Sequence, residues 1–211
     1  MFSIRRLVAS SVAAAFVLLP ALAHAETPKT HDGFYLQIAP GLGYVSDSAT
    51  IKTPIVSLDY KISGIGGSGS LLFGGTLFPG FVLGGGFQGG SFPKPTFEVG
   101  GTSSKGTGTL QISTIGPFVD YYLDPRAGLH FQGFLGFGVV SAQSADGRAS
   151  QNNPSGLALS VGVGHDWFVS DAWSIGVMGR LQYLSAKYES GGSSDNHSVL
   201  VPAVLATFTY H

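Results

Sequence analysis

Three charged side chains fall well inside long alternating apolar segments of this 211-residue chain: Asp120, Asp166 and Arg180. Gln132 and Gln182 share their parity, so the five form a candidate polar cluster. Two carboxyl groups, a guanidinium and two amides could line a permeation path for small solutes. They could equally satisfy one another as a hydrogen-bonded plug in a space of low dielectric. Acid–base chemistry is the remaining possibility, with His165 standing directly before Asp166. Other chemistry is closed: the chain has no cysteine, which excludes disulfides, thiolate ligands and cysteine nucleophiles. No His or acidic residues recur at metal-ligand spacing, so no metal, cofactor or catalytic residue is assigned.

The elements that position these groups are clearest between Leu157 and Tyr188. Leu157, Leu159, Val161, Val163 and Trp167 alternate with Ala158, Ser160, Gly162, Gly164 and Asp166. After Ser170 to Ala172 the pattern resumes, with Trp173, Ile175, Val177, Leu181 and Tyr183 set against Ser174, Gly176, Met178, Arg180 and Gln182. A period of two means strands. Folded as a hairpin, they set Arg180 across from Ser160 or Gly162, and Asp166 across from Ser174 or Gly176. Both runs are long enough for the roughly 9 to 11 residues of a strand that crosses a bilayer at a tilt.

Composition supports a membrane setting. Only 11% of residues are charged and 32 are Gly, against about 25% charged in a typical soluble protein. No run after Ala25 reaches the roughly 20 apolar residues of a spanning helix. Met1 to Ala25 joins Arg5 and Arg6 to an apolar stretch from Leu7 to Leu22, then ends in Ala23-His24-Ala25, a small-x-small cleavage signal. Cleavage after Ala25 is expected, leaving a short periplasmic lead at 26–32 and one domain at 33–211. Without Arg5 and Arg6, the 11 basic residues fall to 9 against 12 acidic ones, a net charge of −3 with His neutral. No basic patch remains for nucleic acid.

Eight strands are expected along the domain. The first is Gly33 to Val45, with a long loop from Ser46 to about Ser68 that extends the hairpin. Gly69 to Leu77 and Phe81 to Gly90 flank the turn Phe78-Pro79-Gly80, and Ser91 to Gly108 is a second long loop. In Leu110 to Leu123, Leu110 and Ile112 are out of phase with Ile115, Val119 and Tyr121, which suggests a bulge near Ser113 or Thr114. The turn Asp124 to Gly128 leads into Leu129 to Ala142. Gln143 to Ser155 and Glu189 to His197 are further loops on either side of the central hairpin, and Ser198 to His211 is the last strand.

The connections alternate long and short, as in an up-and-down barrel with short periplasmic turns and longer outer loops. Phe34, Tyr35, Phe78, Phe81, Tyr121, Tyr122, Trp167, Trp173, Phe208 and Tyr210 gather beside the short turns. Of these, Phe34, Tyr121, Trp167, Trp173, Phe208 and Tyr210 are assigned to an aromatic girdle at one membrane interface. Tyr44, Phe87, Tyr183 and Tyr188 would form a sparser opposite belt. Alternation turns Asp120, Asp166 and Arg180 inward, away from lipid, where an Arg at midplane costs about 2–4 kcal/mol.

This pattern resembles the small eight-stranded outer-membrane barrels of Gram-negative bacteria, the OmpA-like and OmpX-like group, over residues 33–211. The final Ala206-Thr207-Phe208-Thr209-Tyr210-His211 is similar to the alternating C-terminal signal read by the barrel assembly machinery. It departs from that signal in ending on His211. The resemblance implies an eight-stranded antiparallel up-and-down transmembrane β-barrel after a cleaved signal peptide. It also implies an outer-membrane location, outer-membrane lipids and the assembly machinery as partners, a monomer, and no cofactor. Barrels of this strand number are roughly filled by side chains, so the implied role is structural, or a surface interaction carried by extracellular loops whose partner no motif specifies. Three readings compete. One is a narrow pore for small solutes. Another is a lipid A-modifying enzyme; the deacylase type carries His and Ser two residues apart, and none of His31, His130, His165, His197 and His211 is followed by Ser at that spacing. The third is a soluble periplasmic calycin-like ligand binder, which would enclose Leu159, Val161, Ile175 and Val177 and leave Ser160, Gly162 and Arg180 wet.

Overall fold

The computed structural model describes residues 30–211 apart from positions 32, 54, 149, 151, 152 and 191. The expected signal peptide, its cleavage point at Ala23 and Ala25 and most of the lead lie outside the described residues. The strands are β1 Phe34–Lys52, β2 Ser57–Phe78, β3 Phe81–Pro93, β4 Thr96–Val99, β5 Thr102–Lys105, β6 Thr109–Tyr122, β7 Leu129–Gln143, β8 Ser155–Phe168, β9 Trp173–Ser190 and β10 Ser193–Tyr210. Leaving aside β4 and β5, eight of these pair antiparallel in chain order, and β1 closes the ring by pairing with both β2 and β10.

Side-chain alternation fixes what each face meets. Leu159, Val161, Ile175 and Val177 point outward and are 54%, 54%, 44% and 52% exposed, whereas Ser160 and Arg180 are buried inside. The ring of exposed aliphatic and aromatic side chains is the lipid-facing belt of a transmembrane barrel, and a soluble barrel with those side chains enclosed is thereby overturned. In the central hairpin Gly162 pairs with Arg180 and Asp166 with Gly176, within the expected register. At the β2–β3 turn Gly80 has a φ of 81°, a left-handed conformation that glycine adopts without penalty.

The structure corrects several expected boundaries. β1 and β2 continue to Lys52 and from Ser57, so most of the stretch read as a loop from Ser46 to Ser68 is paired strand. Ser91 to Gly108 is only partly loop: β3 runs on to Pro93, and β4 and β5 form a small hairpin whose β4 pairs with Tyr60 to Ser63 of β2. Likewise β9 and β10 extend to Ser190 and from Ser193, which pair with each other, so most of the expected loop from Glu189 to His197 is paired strand.

The bulge expected near Ser113 or Thr114 is absent. The pairing of β6 with β3 and with β7 runs without a shift through Ile112, Ser113 and Thr114. A register shift occurs instead in β2, between Thr76 and Phe78. Leu110 and Ile112 simply point inward, into an apolar core with Val45, Ile62, Phe92, Val140, Ala158, Leu184, Val199 and Val201. The outer end of the interior is thus dry and packed, and an inward apolar residue there has the same physical reason as one in any protein core.

Tyr35 and Tyr122, grouped with the aromatic residues beside the turns, are inside and 1% exposed. With Leu72, Val82, Phe118 and Phe134 they fill the short-turn end. Inward glycines make this possible: a Cβ on Gly84 would lie 2.7 Å from the Phe118 ring, and one on Gly136 would lie 2.7 Å from that of Phe134. Phe34, Tyr121, Trp167 and Phe208 are exposed on the outer face, and Trp173 and Tyr210 are partly so, with ring centres 5.3 Å apart. On the opposite belt Tyr44, Phe87 and Tyr183 face outward, whereas Tyr188 has the inward parity of β9.

Candidate functional site

The inward polar side chains form three levels. At the short-turn end, Asp120 and Asp166 flank His130, whose Nδ1 lies 2.8 Å from Asp120 Oδ1 and whose Nε2 lies 3.8 Å from Asp166 Oδ1. Tyr35 donates to Asp120 Oδ2 at 2.7 Å, and Gln132 Nε2 donates to the same atom at 3.1 Å. Asp166 accepts from Thr207 at 2.6 Å, Tyr122 at 3.0 Å and Thr209 at 3.3 Å. Gln132 also donates to Gln37 at 3.1 Å. Both carboxylates and the imidazole are fully buried. Space for them comes from glycines on neighbouring strands, since a Cβ on Gly164 would stand 2.2 Å from His130 Nε2 and one on Gly176 2.1 Å from Asp166 Oδ1.

His31 and His211 stopper this end from outside the strands. His31 accepts a backbone bond from Gly80 and donates one to Pro125, while the His211 amide donates to Ala172, so both sit at the level of the short turns. The ring of Tyr122 stacks with His31 at 3.7 Å and with His130 at 4.7 Å. His31 Nδ1 and His211 Nε2 share a hydrogen bond of 2.9 Å. Burial lowers both imidazoles to about 3; His211 adds to the effect on His31, and His130 to that on His211. They are neutral at pH 7.

Arg180 and Gln182 occupy a middle level, apart from the carboxylates. Arg180 donates to Ser68 Oγ at 2.8 Å and to the Gly69 carbonyl at 3.1 Å. Gln182 donates to Thr114 at 3.1 Å, and Ser160 donates to Gln88 at 2.8 Å. The five residues expected to cluster are therefore split: Asp120, Gln132 and Asp166 come together below, and Arg180 and Gln182 stand above them.

The third level lies past the apolar core, at the long-loop rim. His197 stands between two carboxylates, with Nδ1 2.5 Å from Asp47 Oδ2 and Nε2 3.3 Å from Asp195 Oδ2. The Tyr60 hydroxyl donates to Asp195 Oδ1 at 3.2 Å. Tyr60, Asp195 and His197 border a cavity of about 530 Å³ walled by Ile62, Pro95, Phe97, Leu110, Val140 and Ala142. Among the described residues no group of three or more His, Asp or Glu is arranged to hold a metal ion.

Sequence reasoning missed His130, His31 and the whole rim cluster. His130 was within reach, because it shares the inward parity of Gln132 and the turn at Asp124 to Gly128 places both opposite Tyr122 and Asp120. Asp47, Tyr60, Asp195 and His197 fall in stretches whose mixture of polar residues with Gly and Ser resembles loop composition.

Fold and interior together define an eight-stranded transmembrane β-barrel of the outer-membrane kind. Solved structures agree. The chain is similar to the Neisserial surface protein A, with 15% identity, a TM-score of 0.56 and coverage of 84% of this chain and 96% of that one. It is similar to OprG from Pseudomonas aeruginosa at 13% identity and a TM-score of 0.56, covering 88% of this chain and 100% of that one. A third likeness is to the outer membrane protein AlkL in lipid bilayers, at 12% identity and a TM-score of 0.50, covering 91% and 97%. No family model matches the sequence, and no curated protein is similar to it at a significant level.

Proposed function

We propose that this chain is an outer-membrane protein of a Gram-negative bacterium that is closed through its interior and acts through its extracellular rim. The short turns face the periplasm and the long-loop end faces outward, the orientation general to such barrels. The observation that carries the reading is the fully buried layer of Asp120, His130 and Asp166, capped by His31 and His211 below and overlain by the packed apolar core above. Every carboxylate oxygen in that layer faces a hydrogen-bonding neighbour, so the carboxylates are committed to partners within the barrel rather than forming a row of ligands for passing ions.

The same enclosure supports a non-enzymatic role. His130 has a carboxylate on each side of its ring and no exposed surface, so no substrate reaches it. His165 is on the outer face against Trp167, with ring centres 4.7 Å apart. Lipid covers the belt, the assembly machinery reads the last strand, and the barrel works as a monomer, its ring being complete in one chain. Purified protein in a planar bilayer is expected to give no stable conductance. Discrete, ohmic channel events would overturn the closed reading and make the polar layers the walls of a narrow pore.

A further inference from the structure

The rim is unequal in height. β1, β2, β9 and β10 have 19, 22, 18 and 18 residues, against 13 to 15 in β3, β6, β7 and β8. A tilted spanning strand needs roughly 9 to 11, so one side of the barrel rises above the belt as a four-stranded wall. The β4–β5 hairpin attaches to the edge of that wall at β2. The cavity of about 530 Å³ lies in the cup so formed, a size within the roughly 300–1,000 Å³ of small-molecule sites.

Its apolar walls come from Ile62, Phe97, Leu110 and Val140; Thr107, Thr109, Gln143 and Ser144 add uncharged polar groups, and its charged end is the corner of Tyr60, Asp195 and His197. In that corner two carboxyl groups face one imidazole, so acid exceeds base. Asp47 is fully enclosed, and its Oδ1 has no hydrogen-bond partner among the described residues, while Asp195 is 27% exposed and borders the cavity. Asp195 and His197 are the only charged or chargeable groups besides the Tyr60 phenol among the described lining residues. Two aromatic rings, Tyr60 and Phe97, also border the space, and a ring face attracts a cation. Asp195 is already held by the Tyr60 hydroxyl and by His197, yet its exposed face borders the cavity. An uncharged apolar guest would leave the excess of carboxyl over imidazole in this corner uncompensated, and an anion would meet repulsion.

We infer that the cup binds a small organic ammonium ion with an apolar body, the ammonium on Asp195 and the hydrocarbon part among Phe97, Leu110 and Val140. The inference deepens the rim reading above, yet its readout is independent of conductance: channel events would sink the closed barrel without touching this site, and the reverse holds too.

The test is a titration of the ¹⁵N-labelled barrel in detergent micelles with 2-phenylethylamine, and with 2-phenylethanol and phenylacetate as neutral and anionic analogues. Saturable shifts of the Phe97, Leu110, Val140 and Asp195 amides are expected with the amine, at an affinity about tenfold tighter than the alcohol's, the scale of one charge-assisted hydrogen bond. Asp195→Asn should remove that preference. Ala142→Trp, which fills the cup without touching the acidic corner, should abolish binding of both; retention of the heat-dependent gel shift shows that each variant folds. Equal affinities for the three probes, an unchanged amine preference in Asp195→Asn, or shifts confined to lipid-facing positions such as Leu159 and Val177 would each overturn it.

Discussion

Asp120 is the residue on which the lower interior depends. Its carboxylate takes hydrogen bonds from Tyr35 and Gln132 and pairs with His130, all of them buried. Asp120→Ala would leave the Tyr35 hydroxyl and His130 Nδ1 unmatched in a buried space, Gln132 keeping its bond to Gln37, and removing one member of a buried pair typically costs about 3–5 kcal/mol. Urea unfolding in lipid vesicles is the measurement. As a contrast, Asp59 on the exposed rim accepts one bond from Thr50, so Asp59→Ala should change stability by about 0.5 kcal/mol at most.

His31 and His211 add a pH dependence of definite sign. Each has an ordinary value of 6.5 that burial lowers to about 3 in the folded chain. The unfolded chain therefore binds more protons between those values, and the stability these groups contribute is complete above about 6.5 and lost progressively as pH falls toward 3. His31→Phe keeps a ring against Tyr122 but removes the titrating group. The fall in unfolding midpoint from pH 7 to pH 4 should be smaller in this variant than in the natural chain. An identical fall in both would show that His31 is protonated in the folded state or lies outside the barrel mouth.

At the scale of the strand, parity decides everything. Val177 lies outward and 52% exposed on β9, one residue from inward, buried Met178. Val177→Arg places a charge in lipid and should destabilise by about 2–4 kcal/mol, with Val177→Leu near neutral. A tolerated Arg in vesicle unfolding would mean that this face meets water. The same parity explains which elements were legible. The β8–β9 hairpin could be registered from sequence because its charged and amide side chains, Asp166, Arg180 and Gln182, share one parity and its large aliphatic side chains from Leu157 to Val163 and at Ile175, Val177 and Leu181 share the other. In β6 the rule that apolar means outward failed at Leu110 and Ile112, because the outer third of the interior is itself an apolar core. The β4–β5 hairpin and the tall ends of β1, β2, β9 and β10 were hidden for a different reason. Above the membrane neither face touches lipid, so the strands lose their alternation, and Ser, Gly and Asp in a paired strand look like loop residues.

For the whole molecule, the sequence by itself determined the ring of strands, their sidedness and the inward placement of Asp120, Asp166 and Arg180. Lipid contact is a one-dimensional constraint, repeated at every second residue, and each strand records it locally. Only the tertiary structure decided which inward groups meet. Asp120 and His130 are neighbours across one hairpin, but Tyr35 joins them from 85 positions away, and His197 reaches Asp47 across the barrel closure, 150 positions apart. Those meetings depend on the stagger of eight strands around a closed ring, a quantity that no single strand carries.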